Sequence, residues 1–264
     1  MAHEIDYEIK GQEMQYVEIT LDPGESVVAE AGGMMMMDRE ITMEAIFGDG
    51  SETQQTKGLM GHLMSAGKRV LAGESLFMTL FTNRGQGRKM AAFAAPYPGK
   101  IVPFDLRQYG GRLILQKDSF LCAAKGVSIG IAFQKKVGVG LFGGEGFIMQ
   151  KLEGDGLTFC HACGTIAEIE LAQGQELLVD TGCLVALTST VQYDIEMVKG
   201  IKSAFFGGEG LFFVRLTGPG HVWLQSLPFS RLADRITSTA KSPMGGKGEG
   251  SVLGGLGDLL NGDN

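Results

Sequence analysis

Apolar and polar residues alternate along this chain in short stretches punctuated by glycine. Val17-Glu-Ile-Thr-Leu21, Val102-Pro-Phe-Asp-Leu106 and Ala167-Glu-Ile-Glu-Leu171 each run into a glycine-containing turn and a second apolar stretch. A period of two puts alternate side chains on one face, the pattern of a strand with one buried side. Helical periodicity is almost absent until Ser226-Leu-Pro-Phe-Ser-Arg-Leu-Ala-Asp-Arg-Ile236. There, a serine cap, an early proline and apolar residues at 229, 232, 233 and 236 predict a short helix. Further on, Val252, Leu253, Leu256, Leu259 and Leu260 fall on one helical face, yet Gly254, Gly255 and Gly257 interrupt them. Each glycine weakens a helix by about 1 kcal/mol, so the glycine-rich end is read as a flexible tail, or as a segment that orders on a partner or membrane.

The same pattern recurs along the chain. Phe142-Gly-Gly-Glu-Gly146 returns as Phe206-Gly-Gly-Glu-Gly210, and Leu152-Glu-Gly-Asp-Gly156 returns at the same spacing as Leu216-Thr-Gly-Pro-Gly220. A weaker third copy is Ala72-Gly-Glu-Ser75 followed by Leu-Phe-Met. The three copies predict β units at 1–98, 99–163 and 164–228, with an insertion in the first around 38–71 and a short helix and glycine-rich tail over 229–264. The predicted class is all-β: three small double-stranded β-helix or β-sandwich units in a pseudo-threefold arrangement, sharing core or edge strands because each alone is small.

Composition narrows the functional classes. Glycine supplies 41 of 264 residues while proline supplies 7, so the glycines punctuate folded structure and do not mark a disordered linker. Lys and Arg number 23 against 30 Asp and Glu, a net charge of −7, which argues against nucleic acid as a partner. The opening MAHEIDYEIK has no apolar core of a signal peptide, and no uncharged apolar run is long enough to span a bilayer, so a cytoplasmic location is expected. In that compartment Cys122, Cys160, Cys163 and Cys183 are expected as reduced thiols.

Candidate chemistry is sparse. Gly138-Val-Gly-Leu-Phe-Gly143 spells a dinucleotide motif but is followed by a strand pattern where that motif requires a helix. Cys160-His-Ala-Cys163 lacks a second ligand pair and reads as structural. The run Met34 to Met37 could favour Cu(I), but consecutive strand residues alternate faces, so packing at a core or subunit interface is the better reading. His3, His62, His161 and His221 match no ligand or triad spacing. No cofactor, metal or catalytic residue is therefore expected. Glu74, Glu145 and Glu209 stand out because each unit repeats one. They are candidate structural carboxylates accepting backbone N–H bonds, or ligand contacts, and repetition in every unit favours architecture.

Gly73-Glu-Ser-Leu-Phe77, Phe142-Gly-Gly-Glu-Gly146, Ala91-Ala-Phe-Ala-Ala-Pro-Tyr-Pro-Gly99 and Asp118-Ser-Phe-Leu-Cys-Ala123 resemble the bacterial relatives of altered inheritance of mitochondria protein 24, over about residues 5–230. That resemblance implies three double-stranded β-helix domains similar to the tryptophan RNA-binding attenuation protein, three chains closing a ring of nine units, and no catalytic residues. The expected function is a non-enzymatic homotrimeric ring or scaffold. The alternative is a module binding a small ligand, a protein partner or a membrane surface through the first-unit insertion and the tail.

Overall fold

Alternation in the sequence becomes strand after strand in a computed structural model, which describes residues 1–30, 32–47, 77–135, 147–197 and 212–240. The first run comprises β1 (Asp6–Lys10), β2 (Tyr16–Leu21), β3 (Ser26–Glu30), β4 (Met34–Met37), β5 (Ile41–Phe47), β6 (Phe77–Asn83) and β7 (Lys89–Ala94). The second comprises β8 (Gly99–Asp105), β9 (Arg112–Gln116), β10 (Phe120–Ala124), β11 (Ser128–Lys135), β12 (Phe147–Glu153) and β13 (Leu157–Cys163). The third comprises β14 (Ile166–Leu171), β15 (Glu176–Asp180), β16 (Leu184–Thr188), β17 (Gln192–Met197), β18 (Phe212–Thr217) and β19 (Gly220–Gln225), and α1 (Phe229–Ala240) follows. Among the described residues the fold is all-β with one α-helix, after the last strand. Residues 41–47, inside the insertion expected around 38–71, form β5, so any surplus length of the first run falls in 48–76, outside the described residues.

Leaving β1 aside, each run of six makes the same four antiparallel pairings: first strand with sixth, third with sixth, second with fifth and fourth with fifth. Two further pairings join the runs. Strand β3 pairs with β10, and β9 pairs with β16, in the same relative register. The result is two six-stranded sheets, β5-β6-β3-β10-β13-β8 and β11-β12-β9-β16-β19-β14, flanked by the partial sheets β1-β2-β7-β4 and β15-β18-β17.

The four sheets stack through three cores. Val17, Ile19, Leu21 and Phe93 of the first sheet meet Val27, Ala29, Phe81 and Phe159 of the second. Val28, Leu80, Phe104 and Phe120 on the other face of the second sheet meet Leu113, Leu115 and Trp223 of the third. Ile114, Leu184 and Val222 then meet Val179, Val214 and Leu216 of the last. The two inner sheets are thus covered on both faces, and their central strands, Phe-Leu-Cys-Ala-Ala in β10 and Leu-Val-Ala-Leu-Thr in β16, are buried at every residue. Such strands are continuously apolar where one-sided strands alternate.

Turns recur with the strands. Gly24, Gly110 and Gly174 all have left-handed φ angles after Leu21, Leu106 and Leu171, each of which is buried. In the first and third of these turns a side-chain oxygen closes the loop: Glu25 accepts from the Asp22 N–H at 2.8 Å and Gln175 from the Ala172 N–H at 2.9 Å. At the start of β8, a Cβ on Gly99 would collide with the Ala162 carbonyl, so only glycine lets β8 and β13 lie that close.

The chain divides into residues 1–230, which carry every described strand, and 231–264. Helix α1 begins directly after Pro228, which has no N–H to leave unsatisfied. Ser226, expected as its cap, instead accepts the Thr165 N–H at 2.9 Å. Within α1, Thr237 and Thr239 hydroxyls donate back to the Asp234 and Arg235 carbonyls.

Candidate functional site

Among the described residues β4 and β15 stand apart from the other strands that end a sheet, because their counterparts in the other runs pair onward to a neighbouring run. At both internal seams the second strand of one run hydrogen-bonds to the third strand of the next. The third strand of the first run, β4, and the second strand of the last, β15, close their sheets with no such partner among the described residues. The two strands belong to the first and the last of the three runs.

Side chains at the seams explain why this matters. Pairing places Val28 of β3, Ile114 of β9 and Leu178 of β15 at one register position, opposite Leu80, Lys151 and Arg215 respectively. Val28 enters the core of the second run and Ile114 the core of the third, and they are 2% and 7% exposed. Among the described residues no further run follows for Leu178 to enter, and it is 57% exposed. The third strands show the converse. Each has a register shift against its partner, between Met34 and Met36, Phe120 and Cys122, and Leu184 and Ala186. The bulged residues Leu121 and Val185, with Cys122 and Ala186 beside them, fill the core of the preceding run and are fully buried. Their counterparts Met35 and Met36 meet no preceding run among the described residues and are 52% and 37% exposed, while Met34 and Met37 pack against the first core. The bulge is why two successive methionines face outward where strict alternation would expose every other one.

A second feature concentrates titratable groups where β3, β10 and β13 meet. The ring of His161 on β13 is buried against Tyr97, with centroids 4.8 Å apart, and its Nδ1 has no hydrogen-bond partner among the described residues. Burial pulls its pKa down to about 4. The corresponding residue of the third run is Gln225, whose Oε1 accepts the Cys163 N–H at 2.9 Å and whose Nε2 donates to the Gly182 carbonyl at 2.8 Å. In the second run Pro98 stands where Cys163 stands in the third, and it has no N–H to offer. The matching carbonyl, that of Asp118, already accepts the Tyr97 hydroxyl at 3.2 Å. The orphaned nitrogen of His161 follows from that pair of substitutions. Burial and the neighbouring Asp118 carboxylate also push Glu30 up to about 7, against the opposing pull of Lys117. Tyr97 is raised by burial and by the same carboxylates.

The remaining candidates from the sequence separate. Glu74, Glu145 and Glu209 lie outside the described residues; their segments connect β5 to β6, β11 to β12 and β17 to β18. The dinucleotide-like Gly138 to Gly143, His62, and the leucine-bearing tail also lie outside them. Cys160 and Cys163 both sit buried on β13, and no disulfide links the four cysteines. His3 accepts the Ser26 N–H at 2.8 Å, and His221 Nδ1 lies 3.3 Å from the Glu168 carboxylate. Among the described residues no three His, Cys, Asp or Glu side chains gather as metal ligands, and no helix is long and apolar enough to cross a membrane. Sequence reasoning missed Leu178 altogether. Its signal was that Glu176-Leu-Leu-Val-Asp180 carries three successive apolar residues at the position where β3 and β9 carry them, without a later run to cover the middle one.

The family model described as mitochondrial biogenesis AIM24 matches residues 7–227. An uncharacterized protein of Streptococcus pyogenes serotype M6 is 30% identical over 231 residues, covering 86% of this chain and 87% of that protein. A crystal structure of another Streptococcus pyogenes protein superposes with a TM-score of 0.69 at 24% identity, covering 89% of this chain and all of that one, a likeness of fold.

Proposed function

The chain belongs to the mitochondrial biogenesis AIM24 family, and from that premise we propose that its work is assembly: copies join head to tail into a closed ring that acts as a non-enzymatic scaffold. In this reading the three runs are copies of one unit about a pseudo-threefold axis, and three chains close a ring of nine, as the family resemblance implies. The observation that carries it is that β4 and β15 lack the onward pairing their counterparts make among the described residues. Strand β15 of one chain takes β4 of the next as β3 takes β10 and β9 takes β16. The two partial sheets then complete one another, Leu178 enters the first core of the neighbour, and Met35 and Met36 enter the last core of the chain before.

Energetics favour closure. An open strand edge is a template for pairing, and burying one leucine or methionine side chain contributes about 1.5–3 kcal/mol. A heterologous contact of this kind makes a ring when its rotation closes. A protein that works through repeated equivalent surfaces needs no catalytic constellation.

Light scattering coupled to gel filtration tests the proposal. Wild type is expected at three chains, and Leu178→Asp at one, with unchanged strand content because Leu178 belongs to none of the three cores of the described residues. A wild type that stays a single chain at micromolar concentration overturns it.

A further inference from the structure

We infer that Met35 and Met36 form an oxidation site through which a hydroperoxide-class oxidant opens the assembly, an inference that rests on the ring reading above. The seam itself does not require methionine. At the same register the second run uses Phe120-Leu-Cys-Ala123 and the third uses Leu184-Val-Ala-Leu187, and both make sealed seams without a thioether. What distinguishes β4 is that every residue carries a sulfur open to two-electron oxidation.

Access is selective. In the single chain Met35 and Met36 are exposed, whereas Cys122, Cys160 and Cys163 are buried and burial raises their thiols away from the reactive thiolate. Cys183 is only half-buried. Once a ring closes, the two methionines take the places of Leu121 and Cys122 in a dry core, so closure and oxidation compete for the same side chains.

The chemistry balances without a cofactor. The thioether sulfur attacks the distal oxygen of the hydroperoxide, the O–O bond breaks, an S–O bond forms, and the distal oxygen's proton passes to the departing oxygen, which leaves as water or an alcohol. Sulfur gives up two electrons and the peroxide accepts them. The sulfoxide is a strongly polar acceptor in a seam whose corresponding positions are lined by Leu, Val, Ala and Cys, and burying it without a donor is unfavourable. Each oxidised residue should weaken association by roughly tenfold or more. Two thiols reverse the step by giving up two electrons to become a disulfide while the sulfoxide oxygen leaves as water.

The test treats the full chain with hydrogen peroxide, maps oxygen uptake by peptide mass spectrometry, and measures assembly by light scattering across a dilution series. The reduced wild type is expected to assemble, the oxidised protein to carry oxygen on Met35 and Met36 and to dissociate at a concentration at least tenfold higher, and the Met35→Leu, Met36→Leu double variant to assemble regardless of peroxide. Met1, Met14 and Met43, exposed elsewhere, serve as internal controls because they stay oxidisable in that variant. Oxygenated Met35 and Met36 in a protein that assembles undiminished would overturn the inference. So would absence of oxygen at those residues in the dilute chain, or a double variant as peroxide-sensitive as wild type. A reduced wild type that never assembles instead sinks the ring reading itself.

Discussion

Tyr97 meets the buried ring of His161 edge to face, and its hydroxyl donates past that ring to the Asp118 carbonyl. The arrangement holds His161 neutral, with a pKa near 4 where an unfolded histidine has about 6.5. Between those values the unfolded chain binds more protons than the folded one, so this group's share of stability is intact above pH 6.5 and falls as pH drops toward 4. The loss amounts to roughly 2–4 kcal/mol at the acid end. His161→Gln should flatten that part of the stability curve, read from urea melts at pH 4.5, 5.5 and 7. An unchanged slope would show that His161 is not the group responsible.

Glu30 has the opposite sign. Its carboxyl is raised to about 7 from an ordinary 4.5, so the folded state holds the extra proton and stability is lost as pH rises through 7. Glu30→Gln keeps size and neutrality. It should stabilise the protein by about 2 kcal/mol at pH 8 and by nothing measurable at pH 4, where both side chains are uncharged. Equal effects at the two pH values would refute the assignment.

Asn83 closes the β6–β7 turn with its whole amide. Its Nδ2 donates to the Leu21 carbonyl at 2.8 Å and the Gly87 carbonyl at 2.7 Å, and its Oδ1 accepts the Gly85 N–H at 2.8 Å. Asn83→Leu leaves three backbone groups unpaired and should cost about 2–4 kcal/mol. Asn83→Asp has the same shape yet turns an oxygen toward two carbonyls, so its melting temperature should fall as far; a melt like that of wild type would contradict this account.

Seam register is testable by cross-linking. Val28 faces Ala123 and Ile114 faces Leu187, so the proposed ring would set Leu178 opposite Met37 of the neighbouring chain. Directly opposed residues of antiparallel strands have Cα atoms about 4.5–5.5 Å apart, within disulfide range. The Leu178→Cys, Met37→Cys double variant should therefore form covalent multimers on a non-reducing gel, while neither single variant does. Cross-linking by a single variant to the same extent would point to a different register.

Much of this architecture is written locally. The alternation at 17–21 and 167–171 became β2 and β14, the glycines after Leu21, Leu106 and Leu171 turned the chain with left-handed φ angles, and the apolar spacing past residue 226 became α1. These features depend on residues within a few positions of one another, where side-chain period and backbone sterics act directly.

Tertiary structure decided the rest. Nothing local marks Val28 as the partner of Ala123, ninety-five positions away, or says that β10 and β16 will be covered on both faces. An apolar tripeptide at the same register is buried throughout in β9, as Leu113-Ile114-Leu115, but leaves its middle residue Leu178 exposed in β15, because burial of that position depends on a neighbouring run and not on the residue itself. His161 reads as an unremarkable residue of a strand until Pro98 and Tyr97 remove both partners that its counterpart Gln225 enjoys. Local sequence specifies which groups seek a partner, and only the pairing of distant strands determines which of them, at β4 and β15, are left without one among the described residues.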